Sequence, residues 1–202
     1  MTSESKDVPV TPGSASLDTG PMYSGKTSSM LTDIERKAYG FPCVIIKYAK
    51  DVRYGTVDQI TSHNTRTISS RPKTEASESI RIIAASKLSD VVLYESEKNV
   101  GLDEGQFYPD LKDGVVAWLK EGRNVFVAAL NSDYKRVMFP TLVSVFPYFK
   151  KVRLHTAICM FCHKEEAQYS KCIVPEKMKG VKEYIGGIES YKSCCDSCWD
   201  KV

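Results

Sequence analysis

Residues 20–27 read Gly20-Pro21-Met22-Tyr23-Ser24-Gly25-Lys26-Thr27, a glycine, four residues, then Gly-Lys-Thr. Such a loop wraps its backbone N–H groups around phosphate oxygens, neutralises them with the lysine and holds Mg²⁺ through the hydroxyl. It should leave a buried strand and open a helix, so eight residues dictate a strand–loop–helix unit at the front of the chain. The downstream half is plain. Met30, Leu31, Ile34 and Ala38 recur on one helical face and Gly40 stops the run. The upstream half is less regular, because Ser14-Ala15-Ser16-Leu17-Asp18-Thr19 offers one large apolar residue and a carboxylate. A chance glycine-rich turn is the alternative, and the helix that follows at once argues against it.

With 202 residues the chain can hold one good core and a small satellite domain. Its 42% hydrophobic and 26% charged content is that of a soluble globular protein, and no apolar run approaches the roughly eighteen residues of a membrane span. Net charge is +3, with Lys and Arg scattered among Asp and Glu. A nucleic-acid track needs a basic stripe instead, so neither a nucleic-acid nor a membrane partner is expected. Met1-Thr2-Ser3-Glu4-Ser5-Lys6-Asp7 lacks the apolar stretch of a secretory signal. The expected location is therefore cytoplasmic and reducing, where paired thiols among the seven cysteines mean metal more often than disulfide. Residues 1–14, rich in Ser, Thr and Pro, read as a disordered arm.

Along the chain, Pro42–Tyr48, Ile80–Ala85 and Asn124–Leu130 are apolar runs of buried-strand length. Asn99–Leu102 is a further strand that runs into Asp103 and Glu104. Residues 55–79 read as a loop in which His63 and Arg66 could touch phosphate. Leu88, Val91, Val92 and Glu95 predict a helix, and Leu111, Val115, Trp118 and Leu119 predict another that Gly122 closes, making Trp118 a core residue. A short helical piece through Leu142, Val143 and Phe146 precedes a strand over Lys151–Ile158. Strands alternating with helices behind a phosphate loop imply a parallel α/β sheet with the nucleotide at the strands' carboxyl ends.

Cys159-Met160-Phe161-Cys162 and Cys195-Asp196-Ser197-Cys198 are two C-x-x-C knuckles whose thiolates can close a tetrahedron around Zn²⁺. Four ligands leave no open position, so such a metal would be architectural. The span between the knuckles predicts a two-stranded arm pinned at its base. Unrelated thiols or a redox pair are the alternatives. Cys194 is a weaker substitute ligand, His163 a competitor only if a cysteine is misplaced, and Cys43 and Cys172 are expected to pack as small apolar residues.

Asp103 stands where a P-loop NTPase keeps the carboxylate that holds Mg²⁺, and Glu104 follows it toward the substrate side. A kinase acting on an alcohol needs a carboxylate within reach of the hydroxyl it deprotonates. An ATPase glutamate that polarises water reads equally well from these two residues.

Taken together, Gly20–Thr27, Ile46–Tyr54, Asp103–Asp110, Val127–Leu130, both knuckles and Ile185-Gly186-Gly187 resemble the zinc-bearing thymidine kinase family, the type of animal cells, poxviruses and many bacteria. The resemblance runs from Gly20 to the C-terminus. It implies a RecA-like P-loop kinase domain over residues 15–157 and a zinc-binding lasso domain over 158–202. It implies ATP- and Mg²⁺-dependent phosphorylation of the 5′-hydroxyl of thymidine and deoxyuridine, with Glu104 as base and Lys26 and Arg53 as phosphate clamps. Thr27 and Asp103 would organise magnesium, and Asp51 and Gln106 join Gly20–Thr27 in the nucleotide-binding set. Ser170 and Gly186 would read the base by main-chain groups, Tyr191 would lie near the sugar, and Met22, Phe107, Leu130, Tyr134 and Phe139 would line the base pocket. Cys159, Cys162, Cys195 and Cys198 would hold structural zinc. Dimers or tetramers and feedback inhibition by dTTP are implied in the same way.

The chain departs from the family pattern at Asp18, at the polar entry Glu97-Lys98-Asn99, at Asn131-Ser132 in place of Asp-Gly, and at Asn64 in place of Asp. The two polar strand entries motivate a second reading, a catalytically silent or weakened relative that serves as a nucleotide-binding scaffold. A zinc-containing nucleic-acid-stimulated ATPase is a third, disfavoured by the scattered charge.

Overall fold

The computed structural model describes residues 12–51, 59–61, 67–69, 79–174 and 186–201. Arg53, His63, Asn64, Arg66, Ile185 and residues 1–11 of the expected N-terminal arm lie outside them.

Strand β1 (Ser14–Gly20) delivers the loop to helix α1 (Lys26–Ala38). Strand β2 (Cys43–Tyr48), a hairpin of β3 (Gln59–Thr61) with β4 (Thr67–Ser69), and strand β5 (Ile80–Ala85) follow. Strand β6 (Asn99–Leu102) ends at the carboxylates, helix α2 (Leu111–Lys120) leads to β7 (Asn124–Leu130), and helix α3 (Pro140–Val145) leads to β8 (Phe149–Leu154). The C-terminal part holds β9 (Ala157–Ile158) paired with β10 (Glu166–Ala167), β11 (Tyr169–Cys172) paired with β12 (Tyr191–Cys194), and the single turn α4 (Asp196–Trp199).

Six strands form one sheet in the order β5-β2-β6-β7-β1-β8, and each pairing is parallel, as expected. Parallel neighbours need crossover connections, and these bury both faces of the sheet. In β2, Cys43 and Ile45 pack with Met30, Leu31, Ile34 and Ala38 of α1, while Val44 and Ile46 pack with Leu111, Val115 and Trp118 of α2 and Leu142 and Val145 of α3. Burial on both sides explains why these strands read as continuous apolar runs. The loop and the two carboxylates therefore emerge at one edge of the sheet, with only β7 between β1 and β6.

Three expectations are corrected. The helix expected from Leu88 to Glu95 is one 3-10 turn, Leu88–Asp90, followed by irregular backbone. Charged side chains take the backbone groups that a helix would pair internally: Arg81 donates to the Val92 carbonyl, Arg123 to the Tyr94 carbonyl, and Glu97 accepts from the Tyr94 amide. Val92, placed on the buried face by the helical reading, is 75% exposed. The run Lys151–Ile158 is split, since β8 stays in the main sheet and β9 pairs with β10. The polar stretch 55–79 contains the β3–β4 hairpin.

The irregular strand before the loop is fully integrated. Ser14, expected in the disordered arm, is the first residue of β1 and donates to Asn124 Oδ1, while Asn124 donates to Asn99 Oδ1, so hydrogen bonds link the polar strand starts across three strands. Asp18 is wholly buried. Arg153, its neighbour in the β1–β8 register, donates to it at 2.6 Å, and His155 Nε2 lies 2.6 Å from the same carboxylate. Arg153 also pairs with Asp33 of α1. Burial alone would raise the pKa of Asp18, but hydrogen bonds from Arg153, His155 and Ser29 outweigh it and hold the carboxyl below the usual range. Stabilisation from a lowered carboxyl pKa is present in full above about pH 4 and lost as pH falls toward the folded value. Asp18→Asn should cost about 3 kcal/mol at pH 7, the scale for breaking a buried ion pair from one side. Urea unfolding from pH 7 to pH 2.5 should show the gap to wild type closing at the acid end.

Candidate active site and cysteine knot

The loop between β1 and α1 has the backbone a phosphate cradle needs. Gly25, at the N-cap of α1, has φ 83, a left-handed conformation that glycine adopts without strain. A Cβ on Gly20 would lie 2.4 Å from the His155 carbonyl oxygen, so the loop leaves β1 where a side chain does not fit. Lys26 is buried and its Nζ donates to the Pro21 carbonyl at 3.3 Å, folded back across the loop. The Ser24 hydroxyl is buried with no hydrogen-bond partner among the described residues, a donor aimed into the loop that phosphate oxygens would satisfy.

Thr27 Oγ1 donates to Asp103 Oδ1 at 2.9 Å, joining the start of α1 to the end of β6. A hydroxyl and a carboxylate in contact at the mouth of a phosphate loop are the ligand pair for Mg²⁺ in this class of site. Burial first, then the adjacent Glu104 charge, push Asp103 up to about 7, against the opposing effects of the Thr27 hydrogen bond and Lys26. Asp51 adds to the upward push. Asp103 therefore lies within electrostatic reach of Lys26, Asp51 and Glu104, and a divalent cation would reverse the carboxylate repulsion.

Glu104 sits in the left-handed region at φ 52, unusual for a residue with a side chain. Gln106 braces it: its amide donates to Glu104 Oε2 at 2.6 Å, while its own Oε1 accepts from the Leu130 amide at 3.0 Å. Thr141 in turn donates to the Gln106 carbonyl at 2.8 Å. Gln106, grouped with nucleotide contacts by resemblance, thus has both ends of its amide engaged in aiming Glu104.

Phe107 lies between Tyr48 and Phe139, with ring centroids 5.3 Å and 6.2 Å away, and forms an apolar wall beside Leu130. Met22 is buried, and its backbone N–H donates to Ser170 Oγ at 2.9 Å. Tyr23 donates to the Tyr191 carbonyl at 3.5 Å and packs against the cysteine cluster. The β11–β12 arm that carries Ser170 and Tyr191 is therefore docked on the phosphate loop itself, with Gly186 buried just before β12. Asn131 ties the same parts together, donating through its backbone to the Gly20 carbonyl at 3.3 Å and through its side chain to the Gln168 carbonyl at 3.0 Å. An aspartate there could not make the second bond.

The sulfurs of Cys159, Cys162, Cys195 and Cys198 all lie within 4.8 Å of one another, with Cys162 and Cys195 at 3.9 Å. A tetrahedron with zinc–sulfur bonds of about 2.3 Å has sulfur–sulfur edges of about 3.8 Å, so these four fit zinc with small adjustment. Cys194 and His163 lie outside this set. Burial raises Cys159, but backbone N–H groups of Cys162, Cys195 and Phe161 outweigh it and bring the thiol down to about 6. Burial and its neighbouring cysteines push Cys198 up to about 12. Cys159 thus ionises readily while Cys195 and Cys198 resist joining it, an arrangement that a cation resolves.

A loop that meets a carboxylate through a threonine hydroxyl, at the carboxyl ends of parallel strands, gives an α/β protein whose candidate site lies at the carboxyl end of its sheet. Comparison with known proteins narrows that class. Residues 13–199 match the family model described as thymidine kinase. The chain is 34% identical to the cytosolic thymidine kinase of Bos taurus over 193 residues, 95% of this chain and 74% of the relative. It is 34% identical to the thymidine kinase of variola virus over 189 residues, 93% of this chain and 97% of the relative. The chain belongs to the thymidine kinase family.

Cys162→Ser should lower zinc content below one per chain and open the β11–β12 arm to trypsin at Lys171 before the main sheet is cut. Metal analysis with timed proteolysis checks both. Zinc retention should fall progressively on acidification, as protons compete with the metal for the thiolates.

Proposed function

We propose that this chain transfers the γ-phosphoryl group of ATP to the 5′-hydroxyl of thymidine, with deoxyuridine as a second acceptor. The observation that carries the reading is the Thr27–Asp103 hydrogen bond at the loop mouth, with Glu104 next in sequence and braced by Gln106. Backbone N–H groups of the Gly20–Thr27 loop other than at Pro21, which has none, and Met22, whose N–H is bound to Ser170, hold the triphosphate with the Lys26 ammonium and the Ser24 hydroxyl, joined in this proposal by Arg53, Asp51 and the cradle residues Pro21, Met22 and Tyr23. Thr27 and Asp103 would hold Mg²⁺, which would supply charge neutralisation for the phosphates. Glu104 accepts the proton of the 5′-hydroxyl as its oxygen bonds to the γ-phosphorus. The bond from that phosphorus to the bridging oxygen breaks, and its electron pair leaves with ADP. Such a transfer demands in-line positioning more than covalent help, and the Gln106 brace serves that demand.

The acceptor side of the proposal places the base against Met22, Phe107, Leu130, Tyr134 and Phe139, with main-chain groups at Ser170 and Gly186 reading its edge and Tyr191 near the sugar. A zinc-pinned lasso over residues 158–202, apart from a kinase domain over 15–157, is part of the same reading. So are a cytoplasmic location and inhibition by dTTP. Assembly into dimers or tetramers is supported by the edge strand β8, where Val152 and Leu154 are 41% and 69% exposed. The scaffold alternative loses its motivation, since Asp18, Glu97 and Asn99 all have partners within the fold. Among the described residues no helix is long and apolar enough to cross a membrane.

A coupled assay of ADP release with thymidine, deoxyuridine, deoxycytidine and no acceptor tests the proposal. Thymidine-dependent release is expected, with Glu104→Gln lowering kcat by about 10²–10⁴ while ATP binding persists. Equal ADP release without any nucleoside would sink it.

A further inference from the structure

We propose that Arg136 is a positioning residue that couples the cysteine knot to acceptor recognition, an inference that rests on the thymidine kinase reading above. The segment 131–139 joins β7 to α3 and carries Tyr134 and Phe139, both assigned to the base pocket. Its tip is a closed turn: the Asp133 amide donates to the Val137 carbonyl at 2.9 Å, and the Asp133 carboxylate accepts from the amides of Lys135 at 2.8 Å and Val137 at 2.9 Å. Arg136 sits in this turn at φ 65, left-handed backbone that glycine would occupy without strain. A strained residue persists where its surroundings hold it.

The Arg136 backbone N–H donates to the Asp133 carbonyl at 3.1 Å within the turn, and the contacts of its guanidinium among the described residues come from the knot and its arm. The guanidinium carbon lies 4.1 Å from the ring centroids of both Tyr169 and Trp199, in the corner made by these rings, which meet edge to face at 5.5 Å. Arg136 Nη1 is also 3.6 Å from Asp196 Oδ1. Asp196 and Trp199 each follow a knot cysteine, Cys195 and Cys198, within the single turn α4, which has no side-chain cap of its own. Tyr169 precedes Ser170, the residue that accepts from the Met22 amide. A planar cation therefore bridges the metal-bearing turn, the strand docked on the phosphate loop and the segment beside the base. Zinc orders α4, α4 presents Trp199, and Trp199 with Tyr169 keeps Arg136 and its turn in place. Binding of the acceptor against that turn stabilises the knot by the same linkage, because coupling between two sites is reciprocal.

Arg136→Gly removes the stack and relieves the backbone, so a loss of function in that variant cannot come from turn strain. Thymidine KM should rise about tenfold, with kcat and the KM for ATP within about twofold, as two lost cation–aromatic contacts would produce. Arg136→Lys, which keeps the charge but not the flat guanidinium, should recover part of that loss. Trp199→Leu should raise the same KM, and the double variant should be no worse than the worse single one. Zinc transfer to the chelator 4-(2-pyridylazo)resorcinol should be at least about threefold faster in Arg136→Gly, and saturating thymidine should slow it in wild type but not in the variant. An active wild type whose Arg136→Gly variant keeps its thymidine KM, or additive effects of the two substitutions, overturns the coupling alone. A wild type inert toward thymidine overturns the functional reading with it.

Discussion

The buried hydrogen bond from the Met22 amide to the Ser170 hydroxyl decides how the two parts of this protein meet. A loop built to wrap phosphate must turn most of its amides toward the ligand, so it cannot be braced from within. Its support has to come from outside. Here that support is the β11–β12 arm, which takes the Met22 amide on Ser170 and the Tyr23 hydroxyl on the Tyr191 carbonyl. Because Tyr23 also packs on the cysteine cluster, the shape of the loop and the order of the knot are one mechanical problem. A zinc held by the four cysteines would therefore influence the loop without touching it.

The second constraint is electrostatic. Burying Asp18 one strand from the sheet edge would be prohibitive if it were alone. It is tolerated because Arg153 on β8 and His155 just beyond it supply donors, with Asp33 of α1 sharing the guanidinium. The pair also specifies alignment. In the β1–β8 register Asp18 lies against Arg153, and a slip of one residue would move the carboxylate to the opposite face and strand the guanidinium. A buried ion pair of this kind adds little net stability relative to apolar packing, and its value lies in allowing one register only. Since Gly20 is two residues on, that register sets where the phosphate loop leaves the sheet.

Much of this was legible in the sequence, for reasons that show where such reading stops. Strands β2, β5 and β7 and helices α1 and α2 declare themselves because their partners are apolar and repeat at the period of the element. The two C-x-x-C knuckles and the arm between them follow from ligand spacing. The stretch 88–95 departs from its helical pattern because Glu97 just beyond it and the distant Arg81 and Arg123 capture its backbone groups, and no helix-length window contains both arginines. The β3–β4 hairpin is too short and polar to announce itself. Gln106 and Arg136 were beyond pattern reading in a stricter sense. What they do depends on which rings and amides lie across a tertiary gap. The one local hint, a left-handed backbone at Glu104 and Arg136, is visible only in coordinates.

That backbone reversal at Glu104 explains how two consecutive carboxylates can hold different duties. In a continuing strand, neighbouring side chains would point to opposite faces of the sheet, and Glu104 would be directed away from the crevice. At φ 52 the chain turns at the strand end instead. Asp103 stays against Thr27 beside the phosphate loop, and Glu104 is carried round to Gln106, which hangs from the Leu130 amide at the end of β7. One carboxylate thus faces Thr27 and the next faces Gln106. The strain at Glu104 is the structural cost of aiming two neighbouring carboxylates differently from a single strand end. Gln106, held at both ends of its amide, is what makes that strained conformation the one populated.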